Sequence, residues 1–258
     1  LEKRKNREMV IKRRKFQGVL NILSFNRHFY VIGLLVLVVI IIGLLLFESP
    51  MSWFIIIVSA FLYGLLMPLL VSAYVYDFSG YYDFDWLKKL NLMELKPKNI
   101  VNINAGFDET SFILKEKFPE AGLQVYDFYD SNQHTEPAIV RARKVSLVYP
   151  NTLQIKSDEI PLNDQSIDMI FLLSAAHEIR SHEEKVLFLK ECHRICKLGG
   201  KVITVEHLRD VPNFFAFSIG FTHFFSRKAW EKAFQEAGFS SFAESKFTPF
   251  MSIFSCSP

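Results

Sequence analysis

The sequence predicts a doubly wound α/β domain behind a two-helix transmembrane hairpin, and three observations carry that expectation. Residues 99–258 alternate strand-like and helix-like stretches, the pattern of a mostly parallel sheet. Within them Lys98–Asp127 reads as strand, turn, helix, strand and terminal acid, the nucleotide-binding half of such a sheet. Ahead of them lie two uncharged apolar runs, Phe29–Phe47 and Trp53–Tyr76, each long enough to cross a bilayer.

Taken in order, residues 1–28 form a basic tail. Lys3, Arg4, Lys5, Arg7, Lys12, Arg13, Arg14, Lys15 and Arg27 face only Glu2 and Glu8. Nucleic-acid binding is one reading of such a run. The apolar runs that follow favour topology instead: positive charge keeps the N-terminus in the cytoplasm, and two spans return the chain to that side. A cleaved signal peptide fits poorly, because the first run is too long and a second follows at once. Residues 29–76 are therefore read as the hairpin, broken by Glu48–Ser52, with Pro68 tolerated inside the second span. Trp53, Tyr74 and Tyr76 lie where an aromatic belt is expected. Residues 77–98 link hairpin to domain. Their Tyr81, Tyr82, Phe84 and Trp86 beside Lys88 and Lys89 suit either an interfacial segment at headgroup level or a helix capping the domain.

The domain itself spans 99–258. Asn99–Asn104 alternates between Pro97 and Gly106 and is the first strand. Glu109 and Thr110 open a helix, and Leu123–Asp127 is the second strand. A polar loop, Asp130–Glu136, leads to a helix through Lys144. Thr152–Lys156 is a third strand, and Ile167–Leu173 is a fourth, apolar enough to be covered on both faces. Glu183–Ile195 is an amphipathic helix stopped by Leu198-Gly199-Gly200, and Lys201–Glu206 is the fifth strand. Arg227–Ala237 is a helix closed by Gly238. Ser241–Lys246 and Met251–Cys256 flank a short connection and predict an antiparallel hairpin. The 3 cysteines make no disulfide framework and suggest a reducing compartment.

Three further stretches identify the sheet. They are Ile160-Pro161-Leu162-Asn163-Asp164-Gln165-Ser166-Ile167-Asp168, the fourth strand with Ser174-Ala175-Ala176-His177-Glu178-Ile179 after it, and Phe188-Leu189-Lys190-Glu191-Cys192-His193-Arg194-Ile195-Cys196-Lys197-Leu198-Gly199-Gly200-Lys201-Val202. From Asn99 to the C-terminus the chain resembles class I S-adenosylmethionine-dependent methyltransferases of the type 11, ubiquinone/menaquinone C-methyltransferase-like group. The resemblance implies a Rossmann-like, seven-stranded sheet of order 3-2-1-4-5-7-6 with the last strand antiparallel. It also implies S-adenosyl-L-methionine as cofactor. The methionine end would lie over Asn102–Asp108, Asp127 would take the ribose hydroxyls, Ser157 and Asp158 would lie near the adenine, and Leu173-Ser174-Ala175 would border the sulfonium. The first motif departs from the family's Asp-x-Gly-x-Gly-x-Gly: the positions read Asn102, Asn104, Gly106 and Asp108. Asn102 lacks a carboxylate, Asn104 brings a side chain where backbone usually meets the ligand, and Asp108 either restores the charge or caps a helix.

In an open α/β sheet ligands sit beyond the carboxyl ends of the strands. Of 7 histidines, four fall on that edge: His134, His177, His207 and His223. Methyl transfer to a hydroxyl or carbon acid needs a base, and an imidazole titrating near neutrality suits it. His177 with Glu178 is the first candidate, followed by His207 and His223. No pair has ligand spacing on one element, so no metal is expected. The aromatic stretch Phe214–Phe221 covers either its own core or an apolar substrate. The expectation is an enzyme of the inner membrane, its catalytic domain in the cytoplasm, methylating a lipophilic small molecule such as a quinone, an isoprenoid pigment precursor or a lipid, without a nucleic-acid partner. The alternative is a catalytically inactive methyltransferase-like module that binds a partner at the membrane.

Overall fold

The computed structural model describes residues 13–92, 94–133 and 136–258. Helix α1, Gln17–Phe25, precedes two long helices, α2 (Arg27–Leu46) and α3 (Met51–Ser72). Mean hydropathy is 3.2 for Arg27–Leu46 and 2.6 for the span Met51–Phe78 that begins with α3, and almost none of either is buried by protein. Both are long and apolar enough to cross a membrane, and neither is a core helix of the globular part. Pro68 lies inside α3. The helix runs on through a wider, π-type turn, Ala73–Phe78.

The domain follows as β1 (Asn99–Asn104), α4 (Ser111–Lys117), β2 (Gly122–Asp127), α5 (Pro137–Arg143), β3 (Leu153–Gln154), β4 (Ile167–Leu173), α6 (His182–Ile195), β5 (Cys196–His207), α7 (Val211–Phe217), α8 (Arg227–Glu236), β6 (Ser241–Thr248) and β7 (Met251–Ser257). The strands form one sheet of order β3-β2-β1-β4-β5-β7-β6. β7 runs antiparallel to both neighbours, and the other pairings are parallel. This is the predicted fold. β4 is central, and its side chains alternate between two buried faces. Ile170 and Leu172 join Val101, Ile103, Phe188, Trp230 and Phe234 on one. Met169, Phe171 and Leu173 join Ile100, Leu114, Val205 and Ile253 on the other.

Two elements differ from expectation, and for a third one of two readings holds. β3 is cut to two residues, because beyond Gln154 the chain turns back on itself through a Lys156–Glu159 bridge. Helix α6 ends at Ile195, and Gly199 and Gly200 lie within β5. The extra residues are absorbed as a bulge opposite Ile167 and Met169. Linker residues Tyr81, Phe84, Trp86 and Leu87 are at most 3 % exposed and pack with Val71, Val75 and Phe171. The segment thus caps the sheet. Its rings cannot lie at headgroup level because the sheet's second face has already buried them.

The basic tail also takes part in the fold. Phe25 of α1 is buried in the domain core against Phe107, ring centroids 5.2 Å apart. The Gly18 N–H donates to Asp77 Oδ1 at 2.9 Å, and Arg13 pairs with Glu109 at 2.5 Å and stacks over Tyr82. Residues before 13 lie outside the described part.

Candidate functional site

The site begins at the turn after β1. Gly106 has φ +81°, a left-handed conformation that glycine adopts without strain. Asn104 Oδ1 accepts the Gly106 N–H at 2.7 Å. Asn102 Nδ2 donates to Thr110 Oγ1 (3.1 Å) and Ser111 Oγ (2.8 Å). One oxygen of Asp108 accepts the N–H groups of Thr110 and Ser111, both at 2.9 Å, and so caps α4. Three polar atoms here are buried with no hydrogen-bond partner among the described residues: Asn102 Oδ1, Asn104 Nδ2 and the second oxygen of Asp108. Such orphans are costly and call for a partner, although none of the three residues lines the cavity beside the turn.

Asp127 ends β2 within reach of this turn. Its Oδ1 accepts the Tyr129 N–H at 2.9 Å, and its Oδ2 pairs with Arg143 Nη1 at 2.7 Å. The same Nη1 donates to Ala105 O at 2.9 Å, and the guanidinium lies 4.0 Å from the Tyr129 ring centre. A Cβ placed on Gly106 would land on that guanidinium. Arg143 therefore fills the space that Gly106 leaves open and holds the carboxylate expected to take ribose hydroxyls. Nothing in the sequence singled it out, since a basic residue in a last helical turn normally complements the helix dipole.

A cavity of about 170 Å³ opens beside the turn. Ala105, Phe107, Thr110, Leu173, Ser174, His177 and Glu178 supply one side, while Arg13, Asn21 and Phe25 of the N-terminal segment and Tyr76, Tyr81 and Tyr82 supply the other. Ser174 has φ +51°, and its Oγ lies 3.3 Å from Tyr81 Oη. Ser157 and Asp158 do not line the cavity. They form the turn beyond β3, and Ser157 Oγ donates to Glu184 at 2.7 Å.

The histidines divide. His177 Nδ1 lies 2.7 Å from Glu206 Oε2, and its Nε2 lies 3.4 Å from Glu178 Oε1. The His223 ring packs edge-on against it at 5.3 Å, with His223 Nδ1 3.1 Å from Glu136 Oε2. Burial by itself would lower the His177 pKa, but the charge of Glu206 and the hydrogen bonds that the ring donates to Glu178 and Glu206 raise it to about 10. The two carboxylates thus favour the charged ring, which departs from the expectation of a near-neutral base. His207 lies apart. Nδ1 faces Phe250 O at 2.9 Å and Asn213 Oδ1 at 3.2 Å, and Nε2 faces Tyr76 Oη at 2.9 Å. The carbonyl fixes the proton on Nδ1, so Tyr76 donates to Nε2. Burial, the largest influence, lowers the His207 pKa to about 4. Its bonds are all used in joining α3's extension to the sheet, so the geometry gives it a structural role and not the catalytic one expected. His134 lies outside the described residues.

The turn suits the zwitterionic methionine end of S-adenosylmethionine. Asn102 Oδ1 and the free Asp108 oxygen can accept from an ammonium, and Asn104 Nδ2 can donate to a carboxylate. The ribose subsite fits once Arg143 releases Asp127. The cavity is also smaller than the roughly 300–1,000 Å³ of ligand pockets, so side-chain movement must accompany binding.

Residues 110–204 match the methyltransferase-domain family. Over 150 residues the chain is 25% identical to the demethylmenaquinone methyltransferase of Thermotoga maritima, covering 57% of this chain and 60% of the relative. The match thus spans less than two thirds of that protein. Among solved structures, a SAM-dependent methyltransferase from Aquifex aeolicus superposes with TM-score 0.50 at 17% identity, over 67% of this chain and 88% of its own. Human N-acetylserotonin methyltransferase in complex with SAM gives 0.50 at 14% identity, over 76% and 55%. Strand order and superposition agree on the fold, and the family match falls inside it: the globular part of this chain has the class I methyltransferase fold and is similar to S-adenosylmethionine-dependent methyltransferases.

Proposed function

We propose that the protein is a membrane-anchored S-adenosylmethionine-dependent methyltransferase acting on a lipophilic small acceptor such as a quinone, an isoprenoid pigment precursor or a lipid. The composition of the cavity wall carries this reading. One side is the cofactor turn and the end of β4, and the other is α1 and the tyrosines just beyond the apolar helices. A substrate lying between them would meet the domain and the membrane-proximal segments together. The exposed apolar side chains of Val211, Phe214, Phe215 and Ile219 support it, as does the bond from Tyr63, midway along α3, to Phe215 O at 2.7 Å. These side chains lie level with a helix that would be inside the bilayer, where their exposure costs nothing. The cofactor supplies an electrophilic methyl group. The chain's own task is to hold that group and the acceptor in line and to exclude water. Asn102, Asn104 and Asp108 would hold the methionine end and Asp127 the ribose, and Leu173–Ala175 would border the methyl group.

One observation favours the inactive alternative: Arg143 already satisfies Asp127. Titration of S-adenosylhomocysteine into the full chain in detergent separates the readings. Saturable binding that Asp127→Ala weakens at least about tenfold, the cost of losing a charge-assisted hydrogen bond, supports the enzyme. Absence of binding by folded protein supports the interaction module.

A further inference from the structure

Beside the cofactor turn, two short segments from separate parts of the chain, Ala176–Glu178 and Ser218–His223, bring His177, Glu178 and His223 together. One donor atom from each lies within 4.8 Å of the other two. The sequence hides this, because His223 is remote from the other two and their adjacency is no ligand spacing. Two features distinguish the cluster from a chance meeting of polar groups. Glu178 is 8 % exposed, with His177 and His223 half-buried, so the donors do not sit on open surface, and His177 and Glu178 line the cavity. Moreover, Nδ1 of each imidazole faces a carboxylate outside the trio, Glu206 for His177 at 2.7 Å and Glu136 for His223 at 3.1 Å. A metal-bound histidine characteristically gives its second ring nitrogen to a carboxylate, which fixes the tautomer and leaves the other nitrogen for the ion.

We propose that His177, Glu178 and His223 form a binding site for a divalent transition-metal ion of the zinc type. Two imidazoles and one carboxylate are a complete protein donor set for such an ion, with a fourth position left open. The charges agree. Glu136, Glu178 and Glu206 surround the two rings; Arg209 donates to the carbonyls of Thr222 and Phe224 on either side of His223, and a second guanidinium is that of Arg180. It donates to His177 O at 3.2 Å and His223 O at 2.7 Å and lies 3.8 Å from Glu136. Its bonds to the two carbonyls hold both loops in place from behind. His177 and Glu178 line the cavity, so the open position would border the acceptor. That last step rests on the methyl-transfer reading, whereas the ion site does not.

The test uses tag-free full-length protein in detergent, stripped with a chelator and desalted. Zinc content is measured by elemental analysis after re-equilibration with Zn²⁺, and Co²⁺ titration is followed by its d–d absorption. The expected result is one ion per chain, with binding weakened by at least about tenfold in both His223→Ala and Glu178→Gln. It should be unchanged in His182→Ala, whose ring pairs with Glu236 on the surface at 2.7 Å. His177→Ala is avoided, since it strips the buried Glu206 of its partner. Circular dichroism checks that each variant is folded. Absence of saturable binding to folded wild-type protein, or binding that survives the His223→Ala and Glu178→Gln double variant, overturns the proposal. Either result is independent of whether S-adenosylhomocysteine binds.

Discussion

Arg143 and His207 show how far single side chains set this molecule's behaviour. Arg143 competes with any ligand that needs Asp127, through a partly buried pair at 2.7 Å and a carbonyl bond at 2.9 Å. Removing that competitor should help the ligand. Arg143→Gln is expected to tighten S-adenosylhomocysteine binding about tenfold, the equivalent of one charge-assisted hydrogen bond, read by calorimetry on the full chain. Weaker binding would mean that the guanidinium itself contacts the ligand. His207 matters for stability. Burial lowers its pKa to about 4, so between that value and the ordinary 6.5 the unfolded chain binds the extra proton. Its contribution is intact above pH 6.5 and is lost as pH falls towards 4, by up to about 3 kcal/mol. His207→Gln should cost about 1–2 kcal/mol at pH 7 through its lost bonds, yet flatten the acid loss. Thermal unfolding at pH 7 and pH 4.5 compares the two proteins. The candidate residues were legible where local pattern names them: Gly106 from its turn and Asp127 from its strand end. Arg143 and the tyrosines were not, because only tertiary placement gives them a role.

At the level of elements, legibility followed the hydrophobic period. β1 and β4 emerge with their predicted limits because alternation or continuous apolarity defines them against clear breaks. β3 does not, because two residues at a sheet edge carry no period. α1 was hidden for another reason: the charge of the surrounding tail masks a short helix whose apolar Phe25 and Ile22 face the domain and cavity. Its seating depends on Gly18, where an added Cβ would lie 2.6 Å from Tyr76 Cβ. Backbone-to-backbone approach of this kind leaves no room for a side chain. Gly18→Leu should therefore lift α1 from the extension of α3, at a cost of about 1–3 kcal/mol. Limited trypsin digestion would report it as faster cleavage at Arg13, Arg14 and Lys15. An unchanged digestion rate would show that α1 is held by Phe25 and Arg13 alone.

On the scale of the whole molecule, access to cofactor and acceptor depends on which side of a membrane each part lies. A helix of 20 residues such as α2 is about 30 Å long, the thickness of a bilayer's hydrocarbon core. The chain between α2 and α3, residues 47–50, holds Glu48 and no lysine or arginine, whereas Arg13, Arg14, Lys15 and Arg27 lie before or at the start of α2. Positive charge stays in the cytoplasm, so the short connection is expected outside and both the tail and the domain inside. The protein offers a quiet background for testing this, because Cys192, Cys196 and Cys256 are all buried. In intact cells a membrane-impermeant maleimide should label Ser49→Cys, at the connection, and leave Lys228→Cys, on the exposed side of α8, unlabelled until the cells are lysed. The reverse pattern would put the domain outside, away from its cofactor. Labelling of both positions only after lysis would mean that the apolar helices do not cross at all. In that case Phe214, Phe215 and Ile219 would need a protein surface, and not lipid, to cover them.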